Sequence, residues 1–596
     1  MIKFLIKLYT KFTEILYKRL NHIQFLLFLS VLVGIVAGFA SVILKLLVHY
    51  FHAIFTYDYQ ISNQWYYVIA FPTIGLIITV AIVKIFFKGR FFKGVSSVLY
   101  DIAQKSSSME KHKTYSHIIT SSITVGLGGS AGLEAPIAVT GSAIGSNFGL
   151  FHKLNYKDRT LLLGCGAAAG ISAAFNAPIT GVIFALEVIL ADISISAFIP
   201  LLISSASGAL ISKIILNESI LLHFKLHQTF NYHNIPYYMV LGIITGFVSL
   251  YYAKTFLSTE KFLSKYQKQY NKAIIGGLIL AILYFFIPTL FGEGYDSIKI
   301  LANEDINGIF KNSIFYNFKD NSWFSLIFIG IIAFVKVIAT SITISSGGNG
   351  GNFAPSLFVG GYLGFFFAKL VNQLGIAKLP VSNFTIVGMC GVLAGVMYAP
   401  LTGIFLIAEI TGGYDLFIPL MIVSAFSFAI VKRFEKYSMD TRRLALMGKI
   451  FTEDKDKNIL SSIKVTDVIE TNIGCILPNA KLRDLIKIIE TNKRNIVAVI
   501  DDKNKLLGIV EIEDIRNIMF KHELYDRIEI RQLMKRPPAF VFKDENMDDA
   551  IKKFDRTQAW HLPVVDRSNF NYFGFISKSS LFTKYRELIV QHNIQI

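Results

Sequence analysis

The sequence predicts an all-α polytopic membrane domain, built as an inverted repeat with broken helices, followed by a small α/β module. The 596-residue chain is 53% hydrophobic and has a mean hydropathy of +0.50, which is the composition of a membrane protein. A glycine-rich motif occurs twice inside apolar sequence. Beyond about residue 450 the composition changes to that of a soluble domain.

The first copy of the motif, at 128–145, has the sequence GGSAGLEAPIAVTGSAIG and carries one carboxylate, Glu134. Glycine-rich backbone followed by Pro136 and small apolar residues predicts a loop that leads into a helix N-terminus. At membrane depth, non-helical backbone is tolerated only where it is buried in protein or lines a water-filled cavity. A lone intramembrane glutamate is therefore a candidate functional residue.

The second copy, at 347–364, has the sequence GGNGGNFAPSLFVGGYLG. A further pair follows at nearly the same spacing, because PITGVIFALE at 178–187 recurs as PLTGIFLIAE at 400–409. Two matched pairs indicate an internal duplication. Interrupted apolar segments at matching places in two halves point to a transporter binding site.

Loop charge predicts that the repeat is inverted. The loop at 56–63 contains no lysine or arginine, whereas the equivalent loop at 254–272 contains five lysines. Positive charge marks the cytoplasmic side, so the two loops are predicted on opposite faces of the membrane. Basic segments at 84–93 and 432–436 complete the prediction of an integral protein of the plasma (inner) membrane with both termini cytoplasmic.

The net charge of +18 is explained by cytoplasmic loops facing anionic lipid, and no nucleic-acid partner is predicted. The sequence contains no nucleophile–base or metal-ligand constellation, so neither an enzyme nor a metal site is predicted.

Residues 465–519 and 530–582 each alternate helical and strand periodicity, which predicts two copies of one α/β unit. Residues 1–22 have the pattern of a basic amphipathic helix on the cytoplasmic membrane surface. The predicted boundaries are 1–22 for that helix, 23–450 for the membrane domain with halves at about 23–213 and 233–450, and 459–590 for the α/β module with units at about 461–520 and 530–590.

Four segments of the sequence resemble motifs of the CLC family of chloride channels and proton/chloride exchangers. They are GLEAP at 132–136, GNFAP at 351–355, FNAPITGVIFALE at 175–187 and its partner APLTGIFLIAE at 399–409. The two C-terminal units resemble a paired CBS (cystathionine-β-synthase-type) module. The resemblance implies a homodimer in membrane lipid, in which each subunit has its own chloride pathway. Buried helix N-termini would point at the ion, since their free N–H groups and dipoles bind an anion without a full charge.

The resemblance also implies roles for individual residues. The glutamate of the family's GxEGP motif is the gate, and that position is Glu134; Leu133 and Ala135 replace the usual arginine and glycine. The pore-serine position falls on Lys93, with Ser96 as a possible substitute, and the pore-tyrosine position falls on Asp440. The implied anion-binding residues are Gly132, Leu133, Ala135, Gly351, Asn352, Phe353, Ala354, Lys93, Ser96 and Asp440. A Lys93–Asp440 pair and a solvated basic loop end are both open interpretations.

In family exchangers a second glutamate relays protons to the gate, and that position is Val188 in this chain. Valine carries no proton, and Asp192, one helical turn later, and Asp440 are the alternative proton carriers. The lost relay predicts a glutamate-gated, passive chloride channel. A proton-coupled chloride or fluoride exchanger remains the alternative. A CBS-regulated cation transporter is disfavoured, because cation sites need clustered carboxylates or carbonyl oxygens.

Two further sets of residues have open interpretations. Glu187 and Glu409 are either buried structural carboxylates or part of an ion path. In the CBS pair, Asp514 and Ser577 each retain part of a ribose-binding signature, so an adenine nucleotide and a purely structural dimerisation role both remain open. No other cofactor is predicted.

Overall fold

The computed structural model describes residues 19–61, 69–87, 91–190, 195–216, 230–310, 313–446, 463–492 and 494–594. The amphipathic helix expected at 1–22 lies almost entirely outside the described residues, and so does Asp192. The chain divides into two compact units, Met1–Ile450 and Phe451–Ile596. Each unit is described by itself.

The described residues of the first unit form α-helices joined by short turns. The helices are α1 (His22–Ile61), α2 (Phe71–Phe86), α3 (Ser96–Gln104), α4 (Lys113–Gly126), α5 (Glu134–Phe151), α6 (Tyr156–Phe175), α7 (Pro178–Phe184, continued by a π-helix at Ala185–Leu190), α8 (Ile195–Leu216), α9 (Ile235–Ser264), α10 (Gln269–Phe286), α11 (Tyr295–Ala302), α12 (Ile306–Ile309), α13 (Ser322–Ser345), α14 (Phe353–Gln373), α15 (Val381–Met397), α16 (Pro400–Ile410), α17 (Phe417–Phe434) and α18 (Met439–Leu446). Within the described residues, seven helical segments are long and apolar enough to cross a membrane.

Two apolar stretches that the sequence presents as continuous are each broken into two helices. α6 ends at Asn176 with φ 54°, and α15 ends at Tyr398 with φ 58°, both in the left-handed region. An Ala-Pro dipeptide follows each break, and Pro178 or Pro400 begins the next helix. A left-handed residue ends a helix and proline favours the first turn of a new one, so the same local chemistry breaks both halves.

Packing follows the duplication. α5 packs on α6 and α14 packs on α15, while α1 packs on α8 and α9 packs on α17. The two halves meet through α2 against α10 and through α7 against α16.

Glu187 and Glu409 connect the halves reciprocally. The Glu409 carboxylate accepts hydrogen bonds from the N–H of Thr180 at 2.7 Å and from its hydroxyl at 2.5 Å, at the start of α7. The Glu187 carboxylate accepts from the N–H and the hydroxyl of Thr402, both at 2.8 Å, at the start of α16. Each acid thus caps the first turn of the other half's helix, where backbone donors lack partners. Both carboxylates are half-buried, and their hydrogen bonds to backbone N–H groups support the structural interpretation.

The second unit contains two three-stranded sheets. Its elements are β1 (Cys475–Ile476), α19 (Leu482–Thr491), β2 (Ile496–Ile500), β3 (Leu506–Glu511), α20 (Ile512–Ile515), α21 (Ile530–Leu533), β4 (Val541–Phe542), α22 (Met547–Thr557), β5 (His561–Val565), β6 (Tyr572–Ser577) and α23 (Lys578–Ile594). In each sheet the first pairing is parallel and the second is antiparallel. The predicted order of elements is therefore present twice, although the closing helix of the first copy is only the short α20.

The two copies exchange their opening segments. Glu470, in the opening segment of the first copy, pairs with Phe575 of β6, and its N–H donates to the Phe575 carbonyl at 2.7 Å. Lys535, ahead of the second copy's strands, pairs with Ile509 of β3 through two hydrogen bonds of 2.9 Å. Each copy thus completes its sheet edge with a residue from the other.

Candidate anion pathway

The two motif loops meet through their backbones. The N–H of Gly132 donates to the carbonyl of Gly351 at 2.9 Å, and the reverse bond measures 2.8 Å. A Cβ on Gly132 would lie 3.0 Å from the Ala354 nitrogen, and a Cβ on Gly351 would lie 2.6 Å from the Ala135 Cβ. Only glycine permits this close approach. The contact brings the N-termini of α5 and α14 together.

The Glu134 carboxylate lies at this junction and is 3% exposed. Its Oε1 accepts a hydrogen bond of 2.5 Å from the Tyr295 hydroxyl at the start of α11. Its Oε2 lies 3.4 Å from the donating N–H of Ala354, in the first turn of α14. A helix N-terminus favours negative charge. The side chain therefore holds its carboxylate where an anion would be stabilised.

A cavity of about 1040 Å³ extends from Glu134 through the first unit. Of the residues implied by the resemblance, its walls include Glu134, Ala135, Gly351, Asn352, Phe353, Lys93, Ser96 and Asp440. The Asn352 amide oxygen accepts from the Tyr252 hydroxyl at 3.2 Å, which orients that side chain. The structure thus places most of the expected anion-binding residues around one space.

Lys93 does not form the ion pair considered from the sequence. Its ammonium donates to the carbonyl of Gly348 at 2.8 Å and to that of Ile344 at 3.4 Å, near the C-terminal end of α13. Asp440 is instead contacted by Ser96, whose hydroxyl donates to its backbone carbonyl at 2.7 Å. A helix C-terminus offers unpaired carbonyls and partial negative charge, which suit a cation. Because Lys93 binds these carbonyls, the interpretation as a solvated loop end also does not hold.

Val188 lies in the π-helix at Ala185–Leu190, directly after Glu187. A π-helix is rare and commonly marks a functional position. Val188 is half-buried, and Phe184 at the end of α7 lines the cavity. The side chain at the relay position is apolar, as the sequence states.

Sequence reasoning missed three residues close to Glu134. Glu293 and Tyr295 lie in a polar connection between apolar segments, outside the duplicated motifs. Lys336, in the apolar span α13, is 0% exposed. A lone intramembrane lysine is a functional candidate by default, so the signal was present for Lys336. Only the fold shows that Tyr295 reaches Glu134.

In the second unit, the possible nucleotide-binding residues have intramolecular partners. The Lys535 ammonium lies 2.9 Å from the Asp514 carboxylate and 2.6 Å from that of Glu511. Burial disfavours the charged ammonium, but the two carboxylates outweigh burial and raise the pKa of Lys535. The Ser577 hydroxyl donates to the Glu470 carboxylate at 2.5 Å. The exchanged opening segments bring Lys535 and Glu470 to these positions.

Comparison with known proteins decides the family. The family model for voltage gated chloride channels matches residues 74–432, and the CBS domain model matches 465–521 and 530–587. The chain belongs to the voltage-gated chloride channel (CLC) family. The predicted family, the broken-helix membrane fold and the paired CBS units are thereby confirmed, and the CLC fold is that of an integral membrane protein.

Three proteins illustrate the similarity within the CLC family. Chloride channel protein CLC-e of Arabidopsis thaliana is 25% identical over 557 residues, covering 81% of this chain and 75% of that protein. A slow cyanobacterial Cl⁻/H⁺ antiporter of known structure has a TM-score of 0.62 at 20% identity, covering 72% of this chain and 98% of that chain. A eukaryotic CLC transporter has a TM-score of 0.60 at 17% identity, covering 93% and 97%.

Proposed function

We propose that the protein conducts chloride passively across a membrane, as a channel gated by Glu134. The position of the Glu134 carboxylate carries this proposal. It lies at the N-terminus of α14, next to that of α5, and at the end of a cavity large enough for hydrated ions. A charged carboxylate there competes with chloride for the same backbone donors.

Protonation provides the opening step. When Glu134 takes up a proton it loses the charge that the helix N-terminus stabilises, and chloride can replace it. Low pH is therefore expected to favour conduction. Lys93 lies in the wall of the same cavity, and its side chain attracts anions towards the gate when its amine is protonated.

Passive conduction rests on the residue next to Glu187. Val188 cannot bind a proton, so the position that relays protons in family exchangers is apolar in this chain. Without a relay from the cavity side, proton movement is not tied to chloride movement. We infer channel-like conduction rather than exchange.

The proposal extends to assembly and location. We expect a homodimer in which each subunit has its own pathway. The CBS pair would act as a cytoplasmic regulatory or dimerisation module, and the protein would lie in the plasma membrane with both termini cytoplasmic.

Chloride efflux from proteoliposomes tests the gate. Glu134→Gln should raise flux at neutral pH and remove its dependence on pH, because the amide is neutral at every pH. Glu304→Gln, at an exposed position of the same unit, is the matched control and should behave as wild type. Wild-type flux of Glu134→Gln at every pH would show that Glu134 is not the gate.

A chloride gradient tests the passive mechanism separately. The gradient is imposed on proteoliposomes while an ionophore clamps the voltage, and external pH is recorded. We expect that no protons move against the proton gradient. Uphill proton movement driven by chloride would establish exchange and require a proton carrier other than position 188.

A further inference from the structure

A second carboxylate, Glu293, lies next to the gate. Its loop packs on the first motif loop, since the N–H of Gly292 donates to the carbonyl of Gly128 at 3.2 Å. Gly128 has φ +90°, and the Phe291 ring occupies the space where its Cβ would lie. Two residues after Glu293, the Tyr295 hydroxyl reaches Glu134. The Glu293 carboxyl therefore faces the Glu134 carboxyl and the N–H of Leu133.

Two lysines, the buried Lys336 and the half-buried Lys45, interact with this pair of acids. The Lys336 ammonium donates to the carbonyls of Gly292 at 2.9 Å and Leu290 at 3.1 Å, on the loop that carries Glu293, and lies 4.7 Å from the centre of the Phe358 ring. Lys45 of α1 faces both glutamates.

The charged groups around the pair come from four elements. They are Lys45 of α1, Glu134 of α5, Glu293 and Tyr295 at the start of α11, and Lys336 of α13. His52 and Asp296 interact with each other. Two lysines and two glutamates thus interact in a region of low dielectric. The charge state of one acid consequently affects the other.

The two carboxylates differ in access. Glu134 is buried and lines the cavity, whereas Glu293 is half-buried and is not among the residues of the cavity wall. The exposed part of Glu293 therefore does not belong to the wall of this cavity.

We propose that Glu293 is a second proton-carrying carboxylate of the pathway, which exchanges a proton with Glu134 on the side away from the cavity. In the opening step, the proton leaves the Glu293 carboxyl and binds the Glu134 carboxylate. Glu293 is then ionised and faces Lys336, and only O–H bonds break and form. Glu293 regains a proton from solvent. This inference rests on the proposed gating by Glu134.

Flux in proteoliposomes after a pH step tests the inference. In Glu293→Gln the like charge beside Glu134 is absent, so Glu134 ionises more readily. The pH of half-maximal flux should move in the acidic direction by about one unit, or roughly tenfold in proton concentration. Activation after the step should also be slower than in wild type, because the proton donor is lost. The glutamine oxygen still accepts a hydrogen bond from Leu133.

Controls separate this inference from the gating proposal. Asp296→Asn changes an exposed acid of the same segment and should leave midpoint and rate unchanged. If chloride flux through Glu134→Gln still depended on pH, gating by Glu134 would be overturned. The role of Glu293 alone would be overturned by a different pair of results. In that case flux through Glu134→Gln is independent of pH, while Glu293→Gln has the wild-type midpoint pH and activation rate. Glu293→Ala must show the same acidic shift in the pH of half-maximal flux. If neither Glu293 variant assembles, the residue is needed for folding and the inference is overturned.

Discussion

Gly132 and Gly351 exchange two backbone hydrogen bonds and thereby join equivalent loops of the two repeats. The contact is an antiparallel bridge between segments that belong to no sheet. It holds the N-termini of α5 and α14 beside each other, with Glu134 at the junction. The pathway thus depends on a contact that neither half makes alone.

Gly351→Ala tests how strongly the junction depends on this contact. The new Cβ would lie 2.6 Å from the Ala135 Cβ, and overpacking of this kind costs about 1–3 kcal/mol. We expect a lower melting temperature of the detergent-purified protein and altered chloride flux. Gly413→Ala is the control, because no atom lies within 4 Å of its Cβ position. Equal melting temperatures for the two variants would contradict the importance of the contact.

The reciprocal caps provide a second prediction. Glu409→Gln leaves one acceptor oxygen at the start of α7 and removes the charge that helix N-terminal donors favour. A hydrogen bond to a charged group contributes about 1.5–3 kcal/mol, so thermal stability should fall. Glu187→Gln should have a similar effect because its geometry is equivalent. If both variants melt at the temperature of Glu304→Gln, the caps do not stabilise the fold.

Nucleotide binding by the CBS pair is expected to be absent or weak. Lys535 holds the Asp514 carboxylate, and Glu470 accepts the Ser577 hydroxyl, so a ribose must displace both partners. Calorimetry of the full-length protein should detect no binding of ATP, ADP or AMP up to about 1 mM. A dissociation constant of about 1 mM corresponds to a binding free energy of about −4.1 kcal/mol. Saturable binding that Asp514→Ala abolishes would establish a nucleotide site.

Glu470 makes part of the stability of the second unit depend on pH. Burial opposes its charged form, but hydrogen bonds from Ser577 and Arg494 outweigh burial and lower the pKa of this carboxyl below its ordinary value of 4.5. The stabilisation is therefore present above pH 4.5 and is lost as the pH falls through the lowered value.

Hydrogen-exchange protection of the β5 and β6 amides measures this effect in the full-length protein. Glu470→Gln should have less hydrogen-exchange protection than wild type at pH 7. On acidification, its protection should fall by less than the protection of wild type does. Glu490→Gln, an exposed change in the same unit, serves as the control. Identical pH profiles for wild type and Glu470→Gln would contradict the prediction.

The sequence predicted the architecture because its evidence is local and repeated. The duplicated motifs, apolar spans and alternating C-terminal pattern depend on residues close together in the chain, and such patterns determine element type. Even the broken helices follow from local chemistry, since Asn176 and Tyr398 both precede an Ala-Pro dipeptide. Hydropathy alone nevertheless presents 160–191 and 383–410 as continuous apolar segments, because it does not register a single left-handed residue.

The sequence by itself determined the family, the duplication and the gate candidate Glu134. Only the tertiary structure decided what touches that carboxylate, since Tyr295 and Ala354 lie 161 and 220 positions further along the chain. It also decided that Lys93 binds helix-end carbonyls rather than Asp440, and that Lys336 binds the loop that carries Glu293. Periodicity and loop charge constrain neighbours along the chain, whereas these contacts form only when helices from both halves pack at one buried junction.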